Sequence, residues 1–288
     1  MAGEASTTEP PPAAARDPWY ADWQDREHAR HFDFRSAFPD NALVRNYESF
    51  NDVRLLGEFL AAGRSASLLE VGCATGEFYR YLSVRHPAVR YAGVDVSEPA
   101  LERARQKYRS GAFYRVDPNL PLRQELRKLG LAERADVVYS KDVLHHQTDP
   151  WGFLSRLLET ASGAVILRTR TRNAGATVLD PDLSCQYHYR GWMPYLVLNF
   201  EELKRRIRAQ APGCRIRTIR HPMILGGKEN RYLPKECYLQ ETGTAETAVA
   251  VFLRDGPEKE TDEERGEVLP PSPLRHRLSS RLRRVFRS

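Results

Sequence analysis

The sequence lacks the cysteine spacings of the common metal and disulfide sites. Its 288 residues contain four cysteines, scattered as Cys73, Cys185, Cys214 and Cys237. No two of them have C-x-x-C spacing, which argues against a zinc site, an iron–sulfur cluster and a disulfide framework. We therefore expect no metal, and a reducing cytoplasm is the simplest location for the chain.

Long apolar runs and targeting signals are missing as well. No stretch of eighteen apolar residues occurs, so no membrane-spanning helix is expected. The N-terminal segment MAGEASTTEPPPAAARDP has neither a basic n-region nor an apolar h-region, so no secretory signal is expected. With 41% hydrophobic residues, the chain can bury one sizeable core plus appendages.

Two common glycine signatures of phosphate binding are also absent. In G-x-G-x-x-G the middle glycine is replaced by Ala74, and the sequence contains no G-K-[ST]. What is present is the stretch Ser67–Ser97. In it an apolar run, a glycine turn, a helical pattern and a second apolar run follow each other. This order predicts a βαβ unit with a right-handed crossover.

The chemistry of this unit lies in its turn. Gly72 and Gly76 carry no Cβ, so the backbone can approach a ligand closely. Asp95 follows about twenty residues later, near the end of the second strand, where a carboxylate can accept both hydroxyls of a ribose. Glu70 does not suit a pyrophosphate site and instead suits a ligand with a cationic amine.

The combination of EVGCATG and VDVS resembles the S-adenosylmethionine-dependent methyltransferases of the class I, Rossmann-like fold. The resemblance covers roughly residues 64–253. It implies an α/β fold with a seven-stranded, mostly parallel sheet, helices on both faces and an antiparallel edge hairpin. The strand candidates for its last part are Arg215–Leu225, Glu236–Glu241 and Thr247–Leu253. The resemblance also implies S-adenosylmethionine as the cofactor.

A set of cofactor-binding residues follows from the resemblance. The residues that match those around the methionine part of the cofactor are Glu70, Gly72, Cys73 and Gly76. Asp95 matches the residue that holds the ribose, and Asp117 matches the one that contacts the adenine amino group. Val96 and Ser140 complete the predicted cofactor site. Pro118 departs from the small residue that is commoner after this acid, and Asp117 as a simple turn former is the alternative.

A second informative segment follows the fourth predicted strand and contains V-L-H-H. It resembles the corresponding motif of small-molecule methyltransferases and of tRNA wobble-uridine carboxymethyl-transfer enzymes. Methyl transfer to a hydroxyl needs alignment and loss of a proton, and histidine is the usual general base. His145 and His146 are therefore the predicted catalytic residues. The alternative is that His146 only holds the loop through a backbone hydrogen bond.

An irregular insertion at about residues 171–199 is the predicted lid and substrate-binding segment. Aromatic and arginine side chains in it suit an anionic or planar substrate or a sugar ring. The predicted substrate-binding residues are Tyr187, Tyr189, Arg190 and Trp192. The alternative is that these side chains pack the insertion onto the sheet.

The flanking segments differ from the predicted methyltransferase domain in composition. Residues 1–16 are expected to be disordered, and residues 17–63 to form a helical cap. Residues 254–273 have the composition of an acidic, solvated linker. The tail, residues 274–288, has six arginines and an apolar helical stripe. Such a tail either lies on an anionic membrane surface, binds an acidic partner or stays disordered.

The leading functional hypothesis is methylation of a small molecule at a hydroxyl, for example of a sugar or a quinone-like metabolite. The absence of N/D-P-P-Y/F argues against methylation of adenine or glutamine amides. An RNA-modifying methyl or carboxymethyl transferase is the second hypothesis, although the catalytic region is not basic overall and no RNA-binding module is evident. A non-catalytic, cofactor-binding scaffold is the third. The sequence does not indicate the oligomeric state.

Overall fold

The computed structural model describes residues 21–24, 29, 35, 37–61, 66–188, 191–226, 231–238, 243–253 and 265–268. Its α-helices are α1 (Asp40–Glu48), α2 (Asn51–Leu60), α3 (Glu77–Arg85), α4 (Glu98–Lys107), α5 (Leu122–Lys128), α6 (Pro150–Thr160) and α7 (Phe200–Gln210). Its strands are β1 (Ser67–Val71), β2 (Arg90–Asp95), β3 (Phe113–Arg115), β4 (Ala135–Lys141), β5 (Ala161–Arg172), β6 (Cys185–His188), β7 (Gly191–Pro194), β8 (Leu198–Asn199), β9 (Arg215–Pro222), β10 (Arg231–Tyr232), β11 (Ala245–Phe252) and β12 (Arg265–Val268). Short 3-10 segments occur at Ala21–Gln24, Leu144–His146 and Lys235–Tyr238.

The main sheet has the strand order β12-β9-β11-β5-β4-β1-β2-β3, and β8 adds to β5. The five strands from β3 to β5 are parallel, whereas β11 runs antiparallel to both β5 and β9. The predicted α/β fold with a mostly parallel sheet and an antiparallel pair of late strands is confirmed. The strands β2 and β4 lie on opposite sides of β1, so the strand order changes direction at β1. At such a point, the carboxyl ends of the strands form the crevice where open α/β sheets bind ligands.

Alternate residues of the strands feed two apolar cores, one on each face of the sheet. Leu69, Val138 and Val165 pack with α5, α6 and α7 on one face. Leu68, Val137 and Ile166 pack with α1, α2 and α3 on the other. This alternation follows from the period of two in a strand, and it confirms helices on both faces. The part of the predicted helical cap that α1 and α2 form is thus largely core packing.

Side-chain caps begin three of the helices. The Ser97 hydroxyl accepts a hydrogen bond from the Ala100 amide (3.3 Å), and the Asp149 carboxylate accepts one from Gly152 (2.9 Å). At α7, the Asn199 side chain accepts from the Glu202 amide at 2.9 Å. These bonds satisfy amides that a helix leaves unpaired at its N-terminus, so α4, α6 and α7 start at defined residues.

The structure corrects three expectations. Residues 265–268, expected within the solvated linker, form β12, which pairs in parallel with β9 at the sheet edge. Residues 235–238 form a 3-10 segment in place of part of the strand predicted at Glu236–Glu241. The predicted insertion contains the hairpin of β6 and β7, which β10 from outside the insertion extends to a second, antiparallel sheet.

Two predicted segments, the N-terminal residues 1–16 and the basic tail 274–288, lie outside the described residues. In the part that the structure covers, no helix is both long and apolar enough to cross a membrane.

Candidate functional site

A cavity of about 390 Å³ lies at the carboxyl ends of β1, β2 and β4. This is the volume range of small-molecule sites. The predicted site residues that line it are Glu70, Gly72, Cys73, Asp95, Val96, Asp117 and His146. Seven of the predicted site residues therefore lie around one cavity.

The glycine turn after β1 is shaped by two close contacts. Gly72 has a φ of 87°, and a Cβ at this position would lie 2.3 Å from Cγ2 of Val143. Gly76 has a φ of 77°, and its Cβ would lie 2.7 Å from the Phe113 ring. Gly72 lines the cavity, whereas Gly76 does not and instead permits the packing of the turn against β3. The contact with Phe113 gives Gly76 a packing role, and its cofactor contact stays a prediction.

Asp95 is held by backbone amides at both carboxylate oxygens. The Ala74 amide donates to Oδ2 and the Ser97 amide to Oδ1, each at 2.8 Å. Burial raises the pKa of this carboxyl, and hydrogen bonds from the Ser97, Ala74 and Val96 amides oppose the rise. A carboxylate has about four acceptor sites, so three amides leave room for a ligand hydroxyl. Asp95 is therefore fixed in place and can still accept a hydrogen bond from a ligand.

Glu70 lies at the cavity wall with its carboxyl on Tyr91. The Tyr91 hydroxyl donates to Oε2 at 2.5 Å. Burial raises the pKa of Glu70 to about 8, while the Tyr91 hydrogen bond and the charge of Lys141 act in the opposite direction. A cationic amine next to this carboxyl would favour its ionised form. The site thus suits the ligand class that the sequence predicts for Glu70.

Asp117 and Ser140 are both engaged with the protein. Oδ1 of Asp117 accepts from the Asn119 amide at 2.8 Å, as a turn former does, while the residue also lines the cavity. The Ser140 hydroxyl donates to the Val71 carbonyl at 3.0 Å and joins β4 to β1. Ser140 is not among the cavity-lining residues, and its cofactor contact stays a prediction.

The two histidines differ in orientation. Nδ1 of His146 lies 2.7 Å from the Pro194 carbonyl oxygen, which can only accept, so Nδ1 donates and Nε2 carries the lone pair of the neutral ring. Burial lowers the pKa of His146 to about 4. His145 is buried against Tyr195, with ring centroids 5.2 Å apart, and it is not among the cavity-lining residues. Of the two predicted catalytic residues, the structure brings only His146 into the cavity.

The predicted substrate-binding aromatics lie away from the cavity. Tyr187 and Trp192 contact each other at 5.5 Å, and Tyr187 is 42% exposed. Neither lines the cavity, and Tyr189 and Arg190 lie outside the described residues. The adjacent pair Gln186 and Met193 lines the cavity instead, from the other face of the hairpin. This pair was not predicted, although side chains alternate between the two faces of a strand, so neighbours of Tyr187 and Trp192 face the other side.

The N-terminal segment also contributes to the site. Trp23 lines the cavity and contacts the His146 ring edge-on, with centroids 5.8 Å apart. The Gln24 side chain donates to the Val96 carbonyl at 2.7 Å, which ties the segment to the end of β2. Arg35 and Tyr47 line the same cavity.

A charged cluster supports the loop after β4. Arg168 on β5 donates to both carboxylate oxygens of Asp142, with Nε 3.0 Å from Oδ1, and Arg170 donates to Oδ1 at 3.1 Å. The two guanidinium groups hold the pKa of Asp142 well below its usual range. Lys141, Asp142 and Arg168 all line the cavity. Lys141 and Asp142 were missed, although they end or follow a buried strand, as the predicted residues do.

The sequence family described as "Methyltransferase domain" matches residues 69–162, the segment that holds β1, the glycine turn, Asp95 and His146. Over residues 69–162 the chain is therefore similar to methyltransferase domains. The site fits the S-adenosylmethionine that the sequence resemblance implies: the turn at Gly72 leaves the space that a Cβ would fill, and Asp95 is held at the cavity wall by backbone amides.

Several solved methyltransferase structures are similar at low identity. The N-terminal domain of EvdMO1 with SAH bound is 19% identical, with a TM-score of 0.48 over 72% of this chain and 82% of that one. Magnesium protoporphyrin IX methyltransferase (ChlM) from Synechocystis PCC 6803 is 16% identical, with a TM-score of 0.48 over 82% and 98%. The plantazolicin methyltransferase BamL is 15% identical, with a TM-score of 0.45 over 83% and 100%. At these values they bear on neither the substrate nor the mechanism of this chain.

Proposed function

We propose that this chain is a methyltransferase that methylates a hydroxyl group of a small molecule, with His146 as the general base. The observation that carries the proposal is the hydrogen bond from Nδ1 of His146 to the Pro194 carbonyl, because it leaves the Nε2 lone pair of a cavity-lining ring free to accept a proton. When bound, S-adenosylmethionine supplies an electrophilic methyl group on a sulfonium.

The low pKa of His146 is compatible with this role. Burial keeps the ring neutral at neutral pH, so its lone pair is available. As a methyl group bonds to a hydroxyl oxygen, the O–H becomes far more acidic than an imidazolium. The weak base His146 can therefore take the proton as the C–O bond forms, and the Pro194 carbonyl stabilises the resulting charged ring through Nδ1–H.

A small acceptor is supported by the walls of the cavity. Gln186 and Met193 of the β6–β7 hairpin line it together with Trp23 of the N-terminal segment, so parts of the chain distant in sequence surround one space. Such walls can align an acceptor with the methyl group, as an in-line displacement requires.

The arginines along the end of β5 do not support the RNA hypothesis. Arg168 and Arg172 are 6% and 3% exposed. Arg168 and Arg170 are paired with Asp142, and Arg172 donates to the Ala176 carbonyl. These side chains are therefore engaged inside the protein and do not present a basic surface to phosphates.

Cofactor binding is tested first, by calorimetry with S-adenosylhomocysteine. Asp95→Ala should weaken binding by roughly tenfold or more, because a hydrogen bond from a ribose hydroxyl to a charged acceptor is lost. Unchanged affinity in this variant would contradict the cofactor placement.

The base is tested by methyl transfer to a panel of phenols and sugars, followed as S-adenosylhomocysteine release. His146→Ala should lower turnover by about a hundredfold while S-adenosylhomocysteine still binds. The control His86→Ala, outside the cavity, should turn over as the unaltered protein does. Undiminished turnover of His146→Ala would refute the assignment, and absence of turnover on every acceptor would favour a scaffold.

A further inference from the structure

The cavity has two electrically different ends. The acidic residues Asp95 and Asp117 line it at the carboxyl ends of β2 and β3. The cationic residues Lys141 and Arg168 line it from β4 and β5, where they are neighbours in the sheet register. The acid beside them in the cavity wall, Asp142, is paired with Arg168 and with a second arginine of β5. The strand order places β4 and β5 on the opposite side of β1 from β2 and β3, so the cations face the part of the cavity that lies away from the ribose site.

Three cations surround one aromatic ring at the second end. The Phe50 ring centroid lies 3.6 Å from Nζ of Lys141, 4.8 Å from Cζ of Arg168 and 5.6 Å from Cζ of Arg35. Lys141 also lies 5.2 Å from the centroid of Tyr47. Ring faces stabilise cations, but they do not neutralise them as an anion does.

Lys141 differs from its neighbours in lacking an anionic partner. Arg168 is paired with Asp142, Glu246 and Asp52. Within the described part of the chain, the side-chain ammonium of Lys141 makes no hydrogen bond or ion pair, and it lies on the faces of Phe50 and Tyr47. Burial and the charges of Arg168 and Arg35 lower its pKa to about 7, against the opposing charges of Asp52 and Asp142. A half-buried ammonium in this position gains from an anion that enters the cavity.

We propose that Lys141, with Arg35 beside it, binds a carboxylate of the methyl acceptor, so that the substrate is a small organic acid. The proposal rests on the proposed function, which places the acceptor in this cavity. An ion pair with an ammonium withdraws electron density from the carboxylate oxygens, which makes the carboxylate a weaker nucleophile. This carboxylate therefore anchors the acceptor, while a hydroxyl elsewhere on the molecule receives the methyl group. Tyr47 provides an aromatic wall of the cavity beside the anchored group, and the Phe50 ring contacts the Lys141 ammonium.

The test is calorimetry on the full chain saturated with S-adenosylhomocysteine, with benzoate and its neutral isostere benzamide as probes. The unaltered protein should bind benzoate roughly tenfold more tightly than benzamide, the discrimination expected of one charge-assisted contact. Lys141→Met should lose that preference and retain its affinity for S-adenosylhomocysteine. The matched control Lys235→Met, an exposed lysine outside the cavity, should keep both.

Two results would overturn the proposal. One is an equal affinity of the unaltered protein for benzoate and benzamide. The other is a loss of S-adenosylhomocysteine affinity in Lys141→Met with unchanged affinity for 5′-methylthioadenosine, which lacks the amino-acid part. That result would assign Lys141 to the carboxylate of the cofactor. Because neither measurement needs turnover, a failure here is distinguishable from a failure of His146 as the base.

Discussion

Replacement of Arg168 by methionine should destabilise the protein strongly. Arg168 is buried, and its guanidinium group contacts three carboxylates: Asp142, Glu246 at 3.4 Å and Asp52 at 3.8 Å. In the Arg168→Met variant, Asp142 and Glu246 still contact Arg170. Asp52 is 0% exposed and keeps only its hydrogen bond from the Tyr139 hydroxyl, at 2.5 Å.

The magnitude follows from this difference between the three carboxylates. Breaking a buried ion pair by removal of one partner costs about 3–5 kcal/mol, because the other charge is left uncompensated. Since only Asp52 is left without an ion pair, while Lys141 still acts on its charge, we expect the lower end, about 3 kcal/mol. Asp52→Asn removes the charge that Arg168→Met leaves without a partner. The double variant should therefore lose about 1–2 kcal/mol less free energy of unfolding than the two single losses add up to.

The assay is equilibrium unfolding in urea, with both single variants and the double variant measured together. Arg217→Met is the matched control, because Arg217 pairs with Glu58 at the surface and should lose less than about 1 kcal/mol. A loss below about 1 kcal/mol for Arg168→Met, or strict additivity of Arg168→Met and Asp52→Asn, would refute the view that Arg168 compensates a buried charge.

Two further variants test the wall around the cofactor. Gly72→Ala should lower S-adenosylhomocysteine affinity by about tenfold or more, because the new Cβ meets Val143. The control is Gly130→Ala, which has a similar φ of 70° but open space around its Cβ, and it should leave binding intact. Equal effects of both glycine variants would contradict this. Glu70 holds its proton to about pH 8 in the folded state, above its ordinary value of 4.5, so the folded state binds more protons in that window and stability falls as pH rises. Glu70→Gln should remove this fall, measured as urea unfolding at both ends of the window; an unchanged slope would count against the buried carboxyl.

The βαβ unit and its ligand-binding residues were predictable because they are local in sequence. Gly72 and Asp95 flank one helix, and the position of each follows from where a strand ends. The same argument covers Lys141 and Asp142 after β4, yet it was not applied there. This part of the site was therefore accessible from sequence without any knowledge of tertiary contacts.

The choice between His145 and His146 was not accessible in this way. Adjacent residues of a 3-10 turn point in directions about 120° apart. Which of them enters the cavity depends on the Pro194 carbonyl, which belongs to a distant hairpin and holds His146 through Nδ1. No residue near the histidines in sequence carries that information.

The hairpin and β12 show two other limits of sequence patterns. Aromatic content favoured Tyr187 and Trp192 as substrate contacts, but the phase of the strands places Gln186 and Met193 toward the cavity. Composition indicated a solvated segment at residues 265–268, but these residues form β12 and pair with β9. Strands pair through backbone N–H and C=O groups, and every residue except proline has both, so composition does not exclude a strand. Both outcomes depend on which element lies opposite in space.

The position of β11 between β5 and β9 has a consequence for synthesis of the chain. The sheet neighbours of β9 are β11 and β12, both later in the sequence, whereas β1 to β5 have neighbours among themselves. At roughly 5–20 residues per second, a ribosome needs about 2–6 seconds to extend the chain from the end of β9 to the end of β11. During that interval β5 and β9 both present unpaired edges, which are templates for wrong pairing. The nascent protein is thus most exposed to aggregation and to chaperones just before its last central strand emerges.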